Sequence, residues 1–231
     1  MGVAEAEAYD AWADYYDLAD ADRAPFVAFY AGLLDARAQT LLELGCGTGS
    51  ILSALVGRLH GDHGLEPRRV VGVDASAGML RIARARHPGI EWILGDICEP
   101  GVKGHFGLVT SCFNTLQHLL ADEDLVAALR AARALLADDG RFAFDVYQPN
   151  VPYLSIEAHD RVARRLVDAQ GRTLEIREDA RYDADTRLLS LRWRLIDANE
   201  PEAPPLAATG YRLRQYFAAD VERAITTAGL V

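Results

Sequence analysis

The chain has 231 residues, of which half are apolar, so it is long enough to bury a sizeable hydrophobic core. Its formal net charge of −10 argues against a nucleic-acid partner, because binding a phosphate backbone requires clustered lysine and arginine. The excess of acidic residues favours a neutral or cationic ligand over a polyanion. The first residues lack the apolar stretch of a secretory signal, and no apolar run approaches the roughly 20 residues of a membrane span. We therefore expect a cytoplasmic protein with no membrane contact.

The cysteines of the chain are Cys46, Cys98 and Cys112, which are far apart and lack metal-ligand spacing. This spacing predicts neither a disulfide framework nor a metal site. We expect three small, buried and reduced side chains.

Residues 10–36 carry apolar and aromatic side chains at helical spacing, interrupted by Pro25. We interpret residues 1–36 as a helical lid. Its aromatic residues have two interpretations, since they either pack on the sheet or face a ligand. For Trp12 we favour packing.

From residue 40 onwards, apolar strands alternate with amphipathic helices. Strands are predicted at 40–44, 70–74, 90–94, 106–111 and 141–146. Helices are predicted from about 51 to 59, from the N-cap Ser76 to before Pro88, and from about 122 to 136. This alternation predicts βαβ units, and hence an α/β fold with a Rossmann-like, doubly wound and mostly parallel sheet over residues 37–150.

After Tyr147 the apolar residues recur at every second position instead. Residues 173–177, 189–195 and 211–217 predict an antiparallel β ribbon of about three strands within residues 151–217. We interpret this ribbon as a substrate-side or oligomerisation lobe, and residues 218–231 as a helix that returns to the core. The arginine pairs Arg164–Arg165 and Arg192 with Arg194 are interpreted as solvated.

A glycine-rich turn follows the first strand and contains Gly45, Gly47 and Gly49. Its spacing differs from the dinucleotide pattern G-x-G-x-x-G, which argues against a nicotinamide-dependent oxidoreductase, and it lacks the lysine of a P-loop. Asp74 and Asp96 end the next two strands. A carboxylate at the first position can accept hydrogen bonds from a ribose diol, and one at the second from an adenine amino group. The alternatives are a helix cap at Asp74 and a turn residue at Asp96.

The runs Glu43–Gly49, Val73–Ser76, Gly95–Asp96 and Leu135–Gly140, taken in order, resemble class I S-adenosylmethionine-dependent methyltransferases. The resemblance implies S-adenosyl-L-methionine as the cofactor, with its methionine part against the glycine turn. It also implies contacts with the ribose, the adenine, the sulfonium or the carboxylate for further residues: Tyr16, Asp74, Met79, Asp96, Ile97 and Cys112. For Met79, packing in the core is an equally open alternative.

The segment from Cys112 to His118 is similar to that of amino-sugar N-methyltransferases from antibiotic pathways. The resemblance places Phe113 and Asn114 beside the substrate, and we add Tyr9 and Tyr147 as further substrate-binding candidates. His118 is the candidate catalytic residue, either as a general base or by orienting a substrate hydroxyl. The alternative is a structural histidine that caps a helix or bonds to the backbone.

The expected function is methyl transfer to an amine or hydroxyl of a small molecule, such as an amino sugar or another secondary metabolite. The alternatives are O- or C-methylation of a natural product and non-catalytic binding of the cofactor. The family usually adds two strands after the final helix, whereas this chain ends at Val231. We therefore expect either a truncated chain or an open sheet edge. A homo-oligomer would form through that edge or through the antiparallel lobe.

Overall fold

The computed structural model describes residues 3–19 and 23–230. The N-terminal part forms three short helices: α1 (Val3–Asp10), α2 (Ala13–Ala19) and α3 (Ala24–Ala31). Pro25 lies in the first turn of α3, where its missing N–H costs no hydrogen bond. The interruption predicted at this proline is therefore the beginning of a helix.

Five parallel strands form the core sheet, in the order β3-β2-β1-β4-β5. The strands are β1 (Thr40–Leu44), β2 (Arg69–Asp74), β3 (Glu91–Leu94), β4 (Phe106–Ser111) and β5 (Leu136–Phe144). The connecting helices are α4 (Ser50–His63), α5 (Ala77–Arg86) and α6 (Asp122–Ala134). The strand order reverses between β1 and β4, which opens a crevice at their carboxyl ends. The predicted Rossmann-like sheet is confirmed.

Apolar residues of β1 alternate between two cores, one on each face of the sheet. Leu42 and Leu44 pack with α6 on one face, whereas Leu41 packs with α4 on the other. Leucines can therefore occupy positions on both faces of the strand, because helices cover both of these faces. This explains why β1 has the bounds that its composition predicts.

Two boundaries differ from the sequence predictions. β5 begins at Leu136, where the predicted helix ended, because Leu136 pairs with Phe106 before the register shifts to Leu108 and Arg141. α4 continues to His63, beyond the predicted end of this helix at about residue 59, and is followed by Gly64 in the left-handed conformation.

The second sheet is antiparallel and has the order β6-β7-β8-β9. Its strands are β6 (Ala158–Val167), β7 (Thr173–Asp183), β8 (Leu188–Asp197) and β9 (Ala207–Arg214). The prediction of three strands was wrong because β6 is a fourth. Its arginines and its two register shifts against β7 conceal the period of two. The short helix α7 (Val151–Leu154) precedes this sheet, and α8 (Ala218–Ala228) follows it and packs on α6.

The inner face of the antiparallel sheet packs against the N-terminal helices. Trp12, between α1 and α2, is buried against Leu174, Ile176 and Leu195, which agrees with the preferred packing interpretation. On β9, Thr209 donates a 2.9 Å hydrogen bond to the carbonyl of Ala8. Helices α1 and α2 therefore bridge the antiparallel sheet and α5 of the core.

The cysteines are free thiols, of which Cys46 and Cys112 are buried. Cys98 is only half-buried, which corrects the expectation that all three are enclosed. Among residues 3–19 and 23–230, no group of side chains is arranged to hold a metal ion. In the same residues, every helix is too short or too polar to cross a membrane.

Candidate active site

A cavity of about 780 Å³ lies between the carboxyl ends of the core strands and the inner face of the antiparallel sheet. Its volume is within the range of about 300–1,000 Å³ typical of small-molecule sites. Most of the predicted site residues line this cavity. They are Tyr9, Tyr16, Gly45, Gly47, Asp74, Met79, Ile97, Phe113, Asn114, His118 and Tyr147.

Asp74 lies at the tip of β2, with one edge facing the cavity. Its Oδ2 accepts a hydrogen bond from the N–H of Gly47, and its Oδ1 accepts one from the N–H of Ser76, both at 2.8 Å. Burial raises the pKa of this carboxyl, and the backbone hydrogen bonds oppose that rise. Each carboxylate oxygen has a second lone pair, so a ligand hydroxyl can bind without displacing the backbone. The helix cap considered for Asp74 is instead supplied by Ser76, whose Oγ accepts from the N–H of Met79.

Two glycines of the turn serve different purposes. Gly47 has a φ of +54°, and a Cβ added there would have only the Tyr16 ring as a neighbour, at 3.7 Å. The backbone at Gly47 is therefore open to close approach by a ligand. Gly49 has a φ of +75°, and a Cβ there would lie 2.3 Å from the ring of Trp92. Gly49 thus permits the packing of α4 on the sheet and does not line the cavity.

Asp96 and Cys112 also lie outside the cavity lining. Asp96 accepts a 2.8 Å hydrogen bond from the N–H of Cys98. Although partial burial opposes it, this hydrogen bond helps to lower the pKa of Asp96. These contacts are those of a turn residue. Cys112 is buried near Glu43 and Tyr30, and burial raises the pKa of its thiol well above the usual value.

Two aspartates fix the N-terminal helices over the cavity. Asp10 on α1 accepts hydrogen bonds from the Ser76 hydroxyl at 2.6 Å and from the N–H of Gly78 at 2.7 Å. Asp17 on α2 accepts from the Thr48 hydroxyl at 2.7 Å and pairs with arginine side chains. Each aspartate directly follows a tyrosine in the sequence. The sequence predicts site roles for Tyr9 and Tyr16, whereas the aspartates that follow them anchor the helices.

A left-handed turn after β4 carries the next part of the cavity wall. Phe113 and Asn114 have φ values of 61° and 63°, which residues other than glycine rarely adopt. The carboxylate of Asp145 stabilises the turn by accepting from both N–H groups at 2.8 Å, and it also accepts from the Tyr30 hydroxyl at 2.7 Å. Asp145 is therefore a structural residue that holds this turn in place.

His118 lies between two tyrosine rings at the cavity wall. Its Nε2 is 3.2 Å from the Tyr9 hydroxyl, and its ring centroid is 5.6 Å from that of Tyr211. Its Nδ1 is buried and has no hydrogen-bond partner among the described residues. Burial lowers the pKa of His118 to about 4. The imidazole is therefore neutral at physiological pH.

The opposite wall comes from the antiparallel sheet and was not predicted residue by residue. It is lined by Trp193 and Tyr211, several leucines, and the charged residues Arg164 and Glu178. Arg164 is exposed, as expected, but its guanidinium also donates to the carbonyl of Ala19 and its side chain lies on the cavity wall. The spacing of residues in β6 does not indicate which of its side chains face the cavity, because that depends on the pairing of β6 with β7.

Comparison with known families gives a match for the part of the chain that contains the core sheet. Residues 41–140 match the family described as a methyltransferase domain. The core of this chain is therefore similar to a methyltransferase domain over these residues. The domain match includes the glycine turn, Asp74 and His118, whereas α1, α2 and the antiparallel sheet lie outside it.

Similar proteins extend the likeness beyond the methyltransferase domain. A dTDP-3-amino-3,6-dideoxy-alpha-D-glucopyranose N,N-dimethyltransferase of Streptomyces fradiae is 34% identical over 104 residues, which are 45% of this chain and 38% of that protein. The CcbJ methyltransferase of Streptomyces caelestis is 26% identical with a TM-score of 0.73, over 99% of this chain and 88% of its own.

A third similar structure is that of CalS10, an amino pentose methyltransferase from Micromonospora echinaspora with S-adenosylmethionine bound. It covers 94% of this chain and 86% of its own, with 23% identity and a TM-score of 0.67. At this identity the likeness concerns the fold. The fold shared with these structures includes the antiparallel sheet as well as the methyltransferase domain.

Proposed function

We propose that this protein transfers a methyl group from S-adenosyl-L-methionine to an amine of a small molecule, an amino sugar or a related secondary metabolite. One observation carries the proposal. A single cavity joins Gly47 and Asp74, which suit a nucleoside, to a neutral His118 and an aromatic wall. The similarity to an amino-sugar N,N-dimethyltransferase supports the substrate class.

The residues at the core end of the cavity fit the cofactor. Asp74 presents acceptor oxygens that suit the ribose hydroxyls, and Gly47 leaves room for close approach of the methionine part. Met79 and Ile97 supply an apolar surface against which an adenine ring packs. Tyr16 lies over Gly47, where its hydroxyl would contact the carboxylate of the cofactor.

The sulfonium of S-adenosyl-L-methionine supplies a methyl group that is already activated for displacement. The protein must therefore mainly orient the acceptor and exclude water. Helices α1 and α2, which are fixed by Asp10 and Asp17, cover the cavity and serve to exclude water. The turn at Phe113 and Asn114, which Asp145 stabilises, positions the wall between the two ends of the cavity.

The environment of His118 favours an amine over a hydroxyl as acceptor. General bases work best with a pKa near the operating pH, and the pKa of His118 is lowered to about 4. Such a weak base is poorly suited to deprotonate a hydroxyl, whereas an unprotonated amine needs no base. The neutral imidazole also adds no positive charge near a sulfonium. We therefore assign His118 an orienting role, in which its Nε2 holds the Tyr9 hydroxyl and its ring forms part of the aromatic wall.

Transfer from a methyl-labelled cofactor tests the proposal. We expect label to enter free amino sugars, and not the matched neutral sugars. His118→Ala is expected to lower turnover more than cofactor affinity, with affinity measured by calorimetry. Cofactor binding without transfer to any amine would instead favour a non-catalytic binding protein. Transfer only to hydroxyl acceptors would refute the amine assignment.

A further inference from the structure

We propose that Glu178 determines which acceptor binds, by accepting hydrogen bonds from a hydroxyl or amino group at the end of the acceptor that does not react. This inference rests on the proposed function, because it assumes that the cavity holds the cofactor at its other end. It assigns a specificity role to a residue outside the methyltransferase domain.

Glu178 is an exception on an apolar strand face. Alternate residues of β7 share one face of the strand, and on the face of Glu178 they are the apolar residues Leu174, Ile176 and Ala180. Glu178 is only 6% exposed, yet its side chain lines the cavity. A buried carboxylate is costly unless several donors satisfy it. Its place on this face therefore calls for an explanation beyond packing.

Two side chains fix the carboxylate of Glu178. The indole Nε1 of Trp193, its cross-strand partner, donates to Oε2 at 2.8 Å. The guanidinium of Arg161 donates to Oε1 and also to the Tyr153 hydroxyl. A carboxylate has about four acceptor positions, so these contacts orient Glu178 and leave capacity for a ligand.

A continuous series of rings connects Glu178 to His118. The ring of Trp193 lies 5.7 Å from that of Tyr211, which in turn lies 5.6 Å from His118. Tyr9 stacks on Tyr211 at 5.4 Å. An acceptor whose reacting group lies near His118 would extend along these rings, and its far end would reach Glu178. The rings would pack against a sugar or other flat apolar surface of the acceptor.

The charge of this wall restricts the chemistry of the far end. Arg161 is already paired with Glu178, and Arg164 donates to a backbone carbonyl. An anionic group on the acceptor would approach the Glu178 carboxylate, and like charges in a desolvated site repel strongly. Hydroxyl and ammonium groups share the donor chemistry that Glu178 accepts. A phosphate group at the far end is therefore disfavoured.

The test is calorimetric titration of the full chain saturated with S-adenosylhomocysteine, using three probes. They are D-glucosamine, D-glucose and D-glucosamine 6-phosphate. We expect D-glucosamine to bind, and the 6-phosphate to bind more weakly. In Glu178→Gln the affinity for D-glucosamine should fall about tenfold, since a charge-assisted hydrogen bond becomes a neutral one. The preference over the 6-phosphate should shrink as well. The D-glucose arm shows whether hydroxyl groups suffice.

Glu175→Gln is the matched control, because Glu175 lies on the opposite face of β7 and pairs with Arg165 and Arg177. It should leave all three affinities unchanged. If Glu178→Gln does not fold, Glu178→Asp keeps the charge and shortens its reach, and the same weakening is expected.

Three results would overturn the role of Glu178. They are equal affinity in the Glu178 variant, no binding of D-glucosamine to the wild type, and tighter binding of the 6-phosphate. If S-adenosylhomocysteine itself does not bind, the proposed function fails together with this inference. If it binds and the probes do not depend on Glu178, only the specificity role fails.

Discussion

The two ends of the cavity are built in different ways. At the cofactor end, Asp74 is held by backbone N–H groups of Gly47 and Ser76, which lie at the tips of adjacent strands. At the acceptor end, side chains from distant parts of the chain meet, as Tyr9 does with His118 across 109 positions. A motif can describe the first kind of site, because short segments fix its geometry. The second kind depends on the packing of α1, α2 and the antiparallel sheet on the core.

The largest effect that we expect separates two carboxylates at neighbouring strand tips. Asp74→Ala should weaken binding of S-adenosylhomocysteine about 100-fold, because two charge-assisted hydrogen bonds of about 1.5 kcal/mol each are lost. Asp96→Ala is the control, since Asp96 accepts from Cys98 and does not line the cavity. Equal losses in both variants, measured by calorimetry, would break the distinction between these two acids.

A pair of glycine variants separates an effect on stability from an effect on cofactor binding. Gly49→Ala should lower the free energy of unfolding by about 2 kcal/mol or more, because its Cβ would overlap the Trp92 ring. Gly47→Ala should cost less stability, about 1 kcal/mol from its positive φ, but should weaken cofactor binding. Urea denaturation and calorimetry together measure the two effects. A Gly47 variant with unaltered cofactor affinity would contradict the close approach proposed at this turn.

A smaller effect is expected at the acceptor end. His118→Ala should lower turnover about tenfold, since the hydrogen bond that positions the Tyr9 hydroxyl, worth about 1.4 kcal/mol, is lost. In the wild type, the pKa of about 4 leaves the imidazole neutral as the pH falls from 8 to 5. Wild type and variant should therefore have pH–rate profiles of the same shape near pH 6.5, the ordinary pKa of histidine. An inflection there in the wild type that disappears in the variant would show that His118 titrates normally and would restore its candidacy as a general base.

The last effect is on stability rather than on ligand binding, and it concerns Glu43, which is buried on β1. Burial raises the pKa of Glu43 to about 8, so the folded protein keeps a proton that the unfolded chain loses above about 4.5. Its contribution to stability is therefore present below about 4.5 and is lost as the pH rises towards 8. The substitution Glu43→Gln should raise the free energy of unfolding, relative to wild type, by at least about 1 kcal/mol more at pH 8 than at pH 5. A constant difference between variant and wild type across this range of pH would contradict the shift.

The sequence predicted the core well because its local signals agree with the tertiary structure. The apolar run of β1 ends at a glycine turn, and Ser76 caps α5 as its position indicates. At these places the same residues fix both the local conformation and the contact with neighbouring strands. The nucleoside-binding candidates therefore line one cavity, with Gly49, Asp96 and Cys112 as the exceptions.

The acceptor end was predicted less completely, for physical reasons. In β6, arginines occupy the face that turns inward, because Arg161 is compensated by Glu178 and Arg164 by a backbone carbonyl. Glu178 itself looks like an ordinary surface glutamate until the register of β7 with β8 places it opposite Trp193. Side-chain pairing across strands has no counterpart in the local sequence, so composition and period cannot reveal it.

The most direct test of the proposed cofactor site is a crystal structure with S-adenosylhomocysteine bound. We expect the ribose hydroxyls to contact the Asp74 carboxylate while the homocysteine part lies over Gly47. We also expect the space along Tyr211 and Trp193 to remain available to an acceptor. A nucleoside bound elsewhere, or a cavity that stays empty at saturating concentration, would refute the assignment of this cavity.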